Sequence, residues 1–327
     1  MKLLVTGGAG YIGGVVTHAL VAAGHQVTVV DDLSTGFADT VPHGAEFHRL
    51  EVHQVGQVLT PDAGFDGVLH FAAKIEVAES VARPDLYWNV NVGGTMALLA
   101  AVRTAGVPRL IFSSTGSMYD PRSVVAQPGG GFSKLDEDAV IRPANTYAAT
   151  KLAVDLMLAG ECEAFGLGAV SLRYFNASGA VGHLGERHNP ESHLVPIVLQ
   201  VASGQRDELM VYGDDYPTPD GTCVRDYIHV ADLATAHLLA LEAIKPGRHE
   251  VYNLGNGDGY SVRQVIDAAR EVTGHPIPVK LAPRRPGDPA ATVASSDKAR
   301  RELGWHPARP ALRDIVADAW AFHQSVG

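Results

Sequence analysis

The chain has 327 residues, enough for one large α/β domain or two moderate ones around a substantial core. Hydrophobic residues make up 46% of it and the formal net charge is −10, which excludes a surface built as a whole to bind nucleic acid. No apolar run can span a bilayer, and the first one stops at Val5 after a single Lys2, so the sequence predicts a cytoplasmic protein with no membrane partner.

From the N-terminus, short β-branched runs alternate with longer helical patterns. Lys2–Thr6, Gln26–Val30, Gly67–Phe71, Arg109–Ser113 and Ala169–Arg173 read as strands. Their near-continuous apolar character suits parallel strands covered on both faces. Tyr11–Ala23, Asp85–Thr104 and Tyr147–Phe165 read as helices between them. Repeated βα units of this kind predict a Rossmann-type, doubly wound parallel sheet over residues 1–175. Gly129–Gly131 reads as a surface loop.

Beyond residue 175, Gly, Pro and His become frequent, as in Gly179–Pro190, Gly213–Gly221 and Pro283–Pro289. This texture predicts a smaller, loop-rich α/β substrate lobe over residues 176–327. One excursion, a helix at Ala231–Ala243 and a strand at Glu250–Leu254, is expected to return residues 231–258 to the large sheet. The two cysteines, Cys162 and Cys223, have neither metal-ligand spacing nor a disulfide framework, and no metal site is expected.

The first strand runs directly into Thr6-Gly7-Gly8-Ala9-Gly10-Tyr11-Ile12-Gly13, which opens the first helix. In that context the glycines have separate tasks. Gly7 permits the tight turn, Gly10 lets a pyrophosphate approach the backbone, and Gly13 lets the helix pack closely on the sheet. The helix N-terminus adds free N–H donors and a favourable dipole for a diphosphate. Asp31 stands at the end of the second strand, 18 residues after Gly13. A carboxylate there accepts ribose hydroxyls and repels a 2′-phosphate, which points to NAD rather than NADP. Asn91, on the third long helix, is a further candidate for reaching the cofactor.

Tyr147 and Lys151 lie four residues apart and therefore one helical turn apart on one face. The strand ending Phe112-Ser113-Ser114-Thr115 delivers a hydroxyl to the carboxyl edge of the sheet, where ligands bind. A tyrosine, with an ordinary pKa of about 10, is a poor base at neutral pH and needs nearby positive charge to act as one. Lys151 and an oxidised nicotinamide supply that charge, and Thr115 orients the proton of a substrate hydroxyl.

These motifs, in this order, resemble the extended short-chain dehydrogenase/reductase family. Further segments carry the resemblance almost to the end of the chain, toward the members that epimerise UDP-hexoses. They are His70–Ala73, Leu172–Ala180, Tyr212–Val230, Arg284–Asp288 and Ser295–Ala299. The resemblance implies an isomerase of galactose metabolism that interconverts UDP-glucose and UDP-galactose with NAD, through a 4-keto intermediate. It implies that Tyr11, Ile12, Phe71, Ala72, Ser113 and Tyr174 join Gly7, Gly10, Gly13, Asp31, Asn91, Tyr147 and Lys151 around the cofactor. It further implies that Asn176, Arg225, Arg285 and Asp288 hold UDP, that Tyr212 lies against uracil, and that His193 and Leu194 flank the phosphate or sugar. The small Thr292, four positions after Asp288, sits where bulk governs acceptance of a 2-N-acetyl group. A homodimer through the helices at Asp85–Thr104 and Tyr147–Phe165 is implied as well.

The chain departs from the family pattern at Thr146 and Ala148, which flank Tyr147 in place of Pro and Gly, at Glu51 for Asp, and at Asp120 for Gly. None of these removes a reactive group. Rival readings are another UDP-sugar 4-epimerase, a UDP-sugar decarboxylase, a 4,6-dehydratase and a catalytically silent NAD-sensing protein. The dehydratase needs an acid/base pair just after Thr115, where Gly116 and Ser117 stand. A sensor has no need of Thr115, Tyr147 and Lys151 together.

Overall fold

Apolar strands without a polar face need cover on both sides, and the computed structural model of the chain supplies it. It describes residues 1–127, 131–285 and 287–326, so Gly129 and Gly130 of the expected loop lie outside the described residues, as does Pro286. The strands of the large sheet are β1 (Lys2–Thr6), β2 (Gln26–Asp31), β3 (Ala45–Arg49), β4 (Gly67–His70), β5 (Arg109–Thr115) and β6 (Gly168–Tyr174). A seventh strand joins them from far along the chain. Its residues, His249–Leu254, pair in parallel with Gly168–Tyr174. Every pairing in this sheet is parallel, and the first six strands stand in the order 3-2-1-4-5-6 that characterises the Rossmann fold.

Helix α1 (Tyr11–Ala22) covers one face, where Leu3, Val5, Leu69, Ile111 and Leu172 form one core. On the opposite face Leu4, Val68, Leu110 and Phe112 pack with Leu98, Val154 and Leu158. The alternation of Leu3, Leu4 and Val5 between two cores is the residue-level meaning of a doubly wound sheet. Each fully buried leucine contributes about 2 kcal/mol of apolar burial.

The long helix expected at Asp85–Thr104 is broken into three pieces. Pro84–Tyr87 forms the short helix α3, Trp88–Gly93 a π-helical turn and Gly94–Ala105 helix α4, with the separate short helix α2 (Val77–Ala82) ahead of them. The wide turn aims the Asn91 side chain inward, where it accepts from Lys74 N at 2.8 Å and donates to Lys74 O and Thr150 Oγ1, each at 3.0 Å. Helical propensity does not encode such a turn; a buried polar group with three partners stabilises it. Helix α5 (Thr146–Phe165) begins at its N-cap Asn145, whose side-chain oxygen accepts from Ala148 N at 2.9 Å.

The remainder hangs on short strands. β7 (Asn176–Ser178) pairs with Tyr227–His229 and β8 (Leu209–Tyr212) with Val279–Ala282, while Val224–Arg225 lies between Tyr260–Ser261 and Ala291–Thr292. Helix α7 (Val230–Ala243) lies within one residue of the expected Ala231–Ala243, whereas α6 (Leu194–Ala202), α8 (Val262–Thr273), α9 (Asp297–Leu303) and α10 (Leu312–Val326) fall where the texture suggested loops. α6, α8 and α10 share a core containing Val198, Leu199, Val265, Ile266, Ile315 and Val316. No helix among the described residues is long and apolar enough to cross a membrane.

Candidate active site

A cavity of about 370 Å³ opens at the carboxyl edge of the large sheet. Gly7, Gly10, Tyr11, Ile12, Gly13, Asp31, Phe71, Ala72, Ser113, Thr115, Tyr147, Lys151, Tyr174, Asn176 and His193 line it. Asn91 does not. It is buried behind the wall and fixes the backbone of Lys74, which does face the cavity.

The glycines are required by close approach. Gly7 has φ +75°, and a Cβ there would meet Ala72 N at 2.5 Å. A Cβ on Gly13 would sit 2.1 Å from Gly7 O. Gly10 caps α1 without any side-chain hydrogen bond, so the first-turn N–H groups stay free for an anion. Asp31 ends β2 and already accepts from Ala9 N at 3.0 Å and Leu33 N at 2.9 Å. Burial raises its pKa and these amides pull it back. This cradle, with its bare helix N-terminus and its carboxylate beyond, fits a dinucleotide.

At the other end of the cavity, β5 and β6 bring Thr115 opposite Tyr174, and the Ser113 hydroxyl is hydrogen-bonded to the Tyr174 hydroxyl. α5 presents Tyr147 and Lys151 to the same place. Lys151 Nζ donates to Ser113 O at 2.8 Å and lies 5.9 Å from the centre of the Tyr147 ring. Burial pushes Tyr147 up to about 12, and the Thr115 hydroxyl beside it pulls the other way. Burial likewise pushes Lys151 down to about 7, against the attraction of Asp155. Asp155 is itself anchored by Arg173, whose Nη2 donates to Oδ2 at 2.8 Å. These surroundings keep the phenol protonated, and added positive charge is needed to make Tyr147 a base.

The remaining expected substrate residues gather outside the cavity lining. Arg225 and Asp288 form an ion pair, and the Arg285 guanidinium stacks 4.0 Å from the centre of the Tyr212 ring. Thr292 pairs in register with Arg225, and Leu194 opens α6 next to His193. One junction ties this cluster to the cavity. Asn176 N donates to Asp226 O at 3.0 Å, and Asp226 directly follows Arg225. The buried Asp226 carboxylate holds the junction by accepting from the amides of Asn256, Gly257 and Ala294 at 2.8 to 3.0 Å. Burial nonetheless pushes it up to about 6.

Sequence reasoning missed several residues of the lining, notably Ser34, Thr35, Lys74, Phe175, Glu186 and His188. Most sit in loops without periodicity. Phe175 could have been found from Gly116, where a Cβ would meet its ring at 2.5 Å. The departures from the family pattern are local. Glu51 caps a 3₁₀ turn together with Gln54, and Asp120 grips Arg122 at 2.6 Å.

The model of the NAD dependent epimerase/dehydratase family matches residues 3–255. The chain is 56% identical to the UDP-glucose 4-epimerase of Streptomyces lividans, with 99% of the chain and 96% of the relative covered. It is 52% identical to the UDP-glucose 4-epimerase of Corynebacterium glutamicum, covering 100% of the chain and 97% of the relative. The crystal structure of UDP-glucose 4-epimerase from Bifidobacterium longum in complex with NAD+ and UDP superposes with a TM-score of 0.90. It is 35% identical and covers 99% of this chain and 98% of that one.

Proposed function

This chain belongs to the NAD dependent epimerase/dehydratase family, and we propose that it uses NAD to interconvert UDP-glucose and UDP-galactose by epimerisation at C4. The observation that carries this reading is the meeting of Thr115, Tyr147 and Lys151 in one cavity with an intact dinucleotide cradle. Gly7, Gly10, Gly13 and Asp31 would hold the dinucleotide. Bound NAD supplies the redox partner for C4, so that the hexose passes through a 4-keto form and returns as either epimer.

Tyr147 removes and returns the proton of the 4-hydroxyl, Thr115 orients that hydroxyl, and Lys151 stabilises the phenolate. Lys151 is held for this task by the Ser113 carbonyl. Arg225 and Arg285 grip the diphosphate, Asp288 accepts from the uridine ribose, and Tyr212 lies beside uracil. Anchoring the unreactive nucleotide leaves the hexose free to present either face. Gly116, packed against Phe175, occupies the place where a dehydratase needs its acid.

We assign residues 1–175 with 231–258 to the NAD-binding domain and the rest of 176–327 to the UDP-sugar lobe. On this reading the protein works in the cytoplasm as a homodimer that meets through the segments Asp85–Thr104 and Tyr147–Phe165. Exposed Trp88, Met96, Leu156 and Phe165 in those segments support that interface.

The test is turnover of UDP-galactose by the purified protein, with product and nucleotide redox state followed together. UDP-glucose should form without net NADH. Accumulation of NADH in step with substrate loss would replace the epimerase with a dehydrogenase.

A further inference from the structure

The cavity wall between β7 and α6 carries a side-chain cluster that takes no part in the proton transfer at C4. Glu186, His188 and His193 each offer one donor atom, and the three atoms lie within 4.8 Å of one another. Glu186 Oε1 and His188 Nδ1 form a close ion pair at 2.5 Å in the cavity wall, which a cation would part and sit between. The third donor is pre-oriented. His193 Nδ1 engages Glu191 Oε1 at 2.9 Å, which leaves Nε2 as the free ring nitrogen. A carboxylate behind a histidine in this way fixes tautomer and ring direction at metal centres.

We propose that Glu186, His188 and His193 bind a divalent transition-metal cation of the zinc class, with an open coordination position turned toward the substrate cavity. Two imidazoles and one carboxylate are a donor set that zinc and its neighbours accept and that magnesium and calcium do not favour. Tetrahedral bonds of about 2.1 Å separate donors by about 3.4 Å, so binding moves Glu186 and His188 apart by about 1 Å. All three residues line the cavity, so an ion here pins that wall and faces whatever enters.

The charges around the cluster favour a cation. Glu186 and Glu191 belong to the segment itself, and Glu76, ahead of α2, accepts from Ser192 Oγ at 2.9 Å. Two cations are near as well: Arg187 of the segment is paired with Asp39, and Lys74 lines the same cavity, as does Tyr11 of α1. A cation is bound by unprotonated imidazoles, so its affinity rises with pH.

The experiment uses untagged, NAD-loaded protein, stripped with a chelator and titrated calorimetrically with ZnCl2 at pH 7.5 and pH 6.0. One ion per chain should bind with a Kd tighter than about 10 µM at pH 7.5 and more weakly at pH 6.0. Glu186→Gln and His188→Gln, each checked for folding by circular dichroism, should lose at least about 100-fold in affinity. Glu191→Gln should lose about 10- to 100-fold. Cobalt(II) in place of zinc should give the intense visible bands of a four- or five-coordinate ion, absent from the Glu186→Gln protein. A Kd weaker than about 10 µM, or unchanged binding in folded Glu186→Gln and His188→Gln, overturns the proposal and leaves a proton-linked Glu–His pair.

Discussion

Replacing Lys151 by methionine removes one positive charge from beside Tyr147 while keeping a long side chain in a site only 2% exposed. The size of the effect follows from the geometry. Taking the 5.9 Å from Nζ to the ring centre as the separation, an effective dielectric of 20 gives about 3 kcal/mol of phenolate stabilisation. That is about two pH units. Burial, set against the Thr115 hydrogen bond, leaves Tyr147 at about 12, so the base depends on such help to ionise at neutral pH. The Ser113 carbonyl loses its partner in the variant, at a cost of about 1 kcal/mol, too little to unfold the domain.

The assay is kcat for UDP-galactose between pH 6.5 and 9.5, with NAD saturating. Because burial brings Lys151 itself down to about 7, the effect is largest at the acid end, and at pH 6.5 the Lys151→Met enzyme should run up to about 100-fold slower than the unmodified one. Raising the pH removes the phenolic proton directly, so the variant should regain about tenfold per pH unit until the two profiles approach each other near pH 9. Tyr147→Phe, which has no proton to lose, should show no such recovery. A loss in Lys151→Met that stays constant across the pH range would refute charge tuning and make Lys151 a positioning residue for the cofactor.

Three further outcomes probe the rest of the site. Asp31→Ser should weaken NAD about 10- to 100-fold in a direct titration, by loss of charge-assisted hydrogen bonds. It should weaken NADP much less, and an unchanged preference between the two would remove Asp31 from the ribose site. Arg225→Ala should weaken UDP in calorimetry by about 2 kcal/mol, the low end for a charge-assisted contact, because Arg225 gives up its ion pair with Asp288 on binding; equal affinity would place Arg225 outside the site. The small Thr292 should allow slow conversion of UDP-N-acetylglucosamine to its C4 epimer, suppressed in Thr292→Tyr. No product after prolonged incubation with an enzyme active on UDP-glucose would rule out the open wall.

Legibility followed burial. The strands that lie inside the sheet were readable to within two residues, because cover on both faces forces continuous apolar runs such as Leu3–Val5 and Leu110–Phe112. The edge strand β3 reads Ala-Glu-Phe-His-Arg, is only partly buried, and therefore leaves no apolar run to find. The break at Trp88–Gly93 was hidden because partners 17 and 59 residues from Asn91 decide it. The amphipathic pattern of α8 and α10 was present in the sequence but obscured by the loops around it. In the site, the glycine turn and Tyr147–Lys151 are local, and local spacing identified them. Glu186 and His188 were not singled out, since only the course of the loop brings their donor atoms to His193.

The residues read as the UDP clamp expose a further limit of sequence reasoning. Arg225 and Asp288 are 63 positions apart and meet because the short strands at Val224–Arg225 and Ala291–Thr292 pair in parallel. A motif assigns each a role toward the nucleotide, but it does not reveal that each already satisfies the other. The pair is only partly exposed, so the guanidinium does not wait as a free charge for phosphate. On the proposed reading, diphosphate binding is an exchange in which Arg225 turns from a carboxylate to a phosphate and Asp288 is released toward ribose hydroxyls. An exchange of partners gains less than the meeting of two unpaired ions, because the new contact is offset by the one given up. The diphosphate and the ribose therefore act together. A ligand that offers only one of them breaks the ion pair without satisfying both halves, and the clamp selects for the complete nucleotide through that mutual dependence.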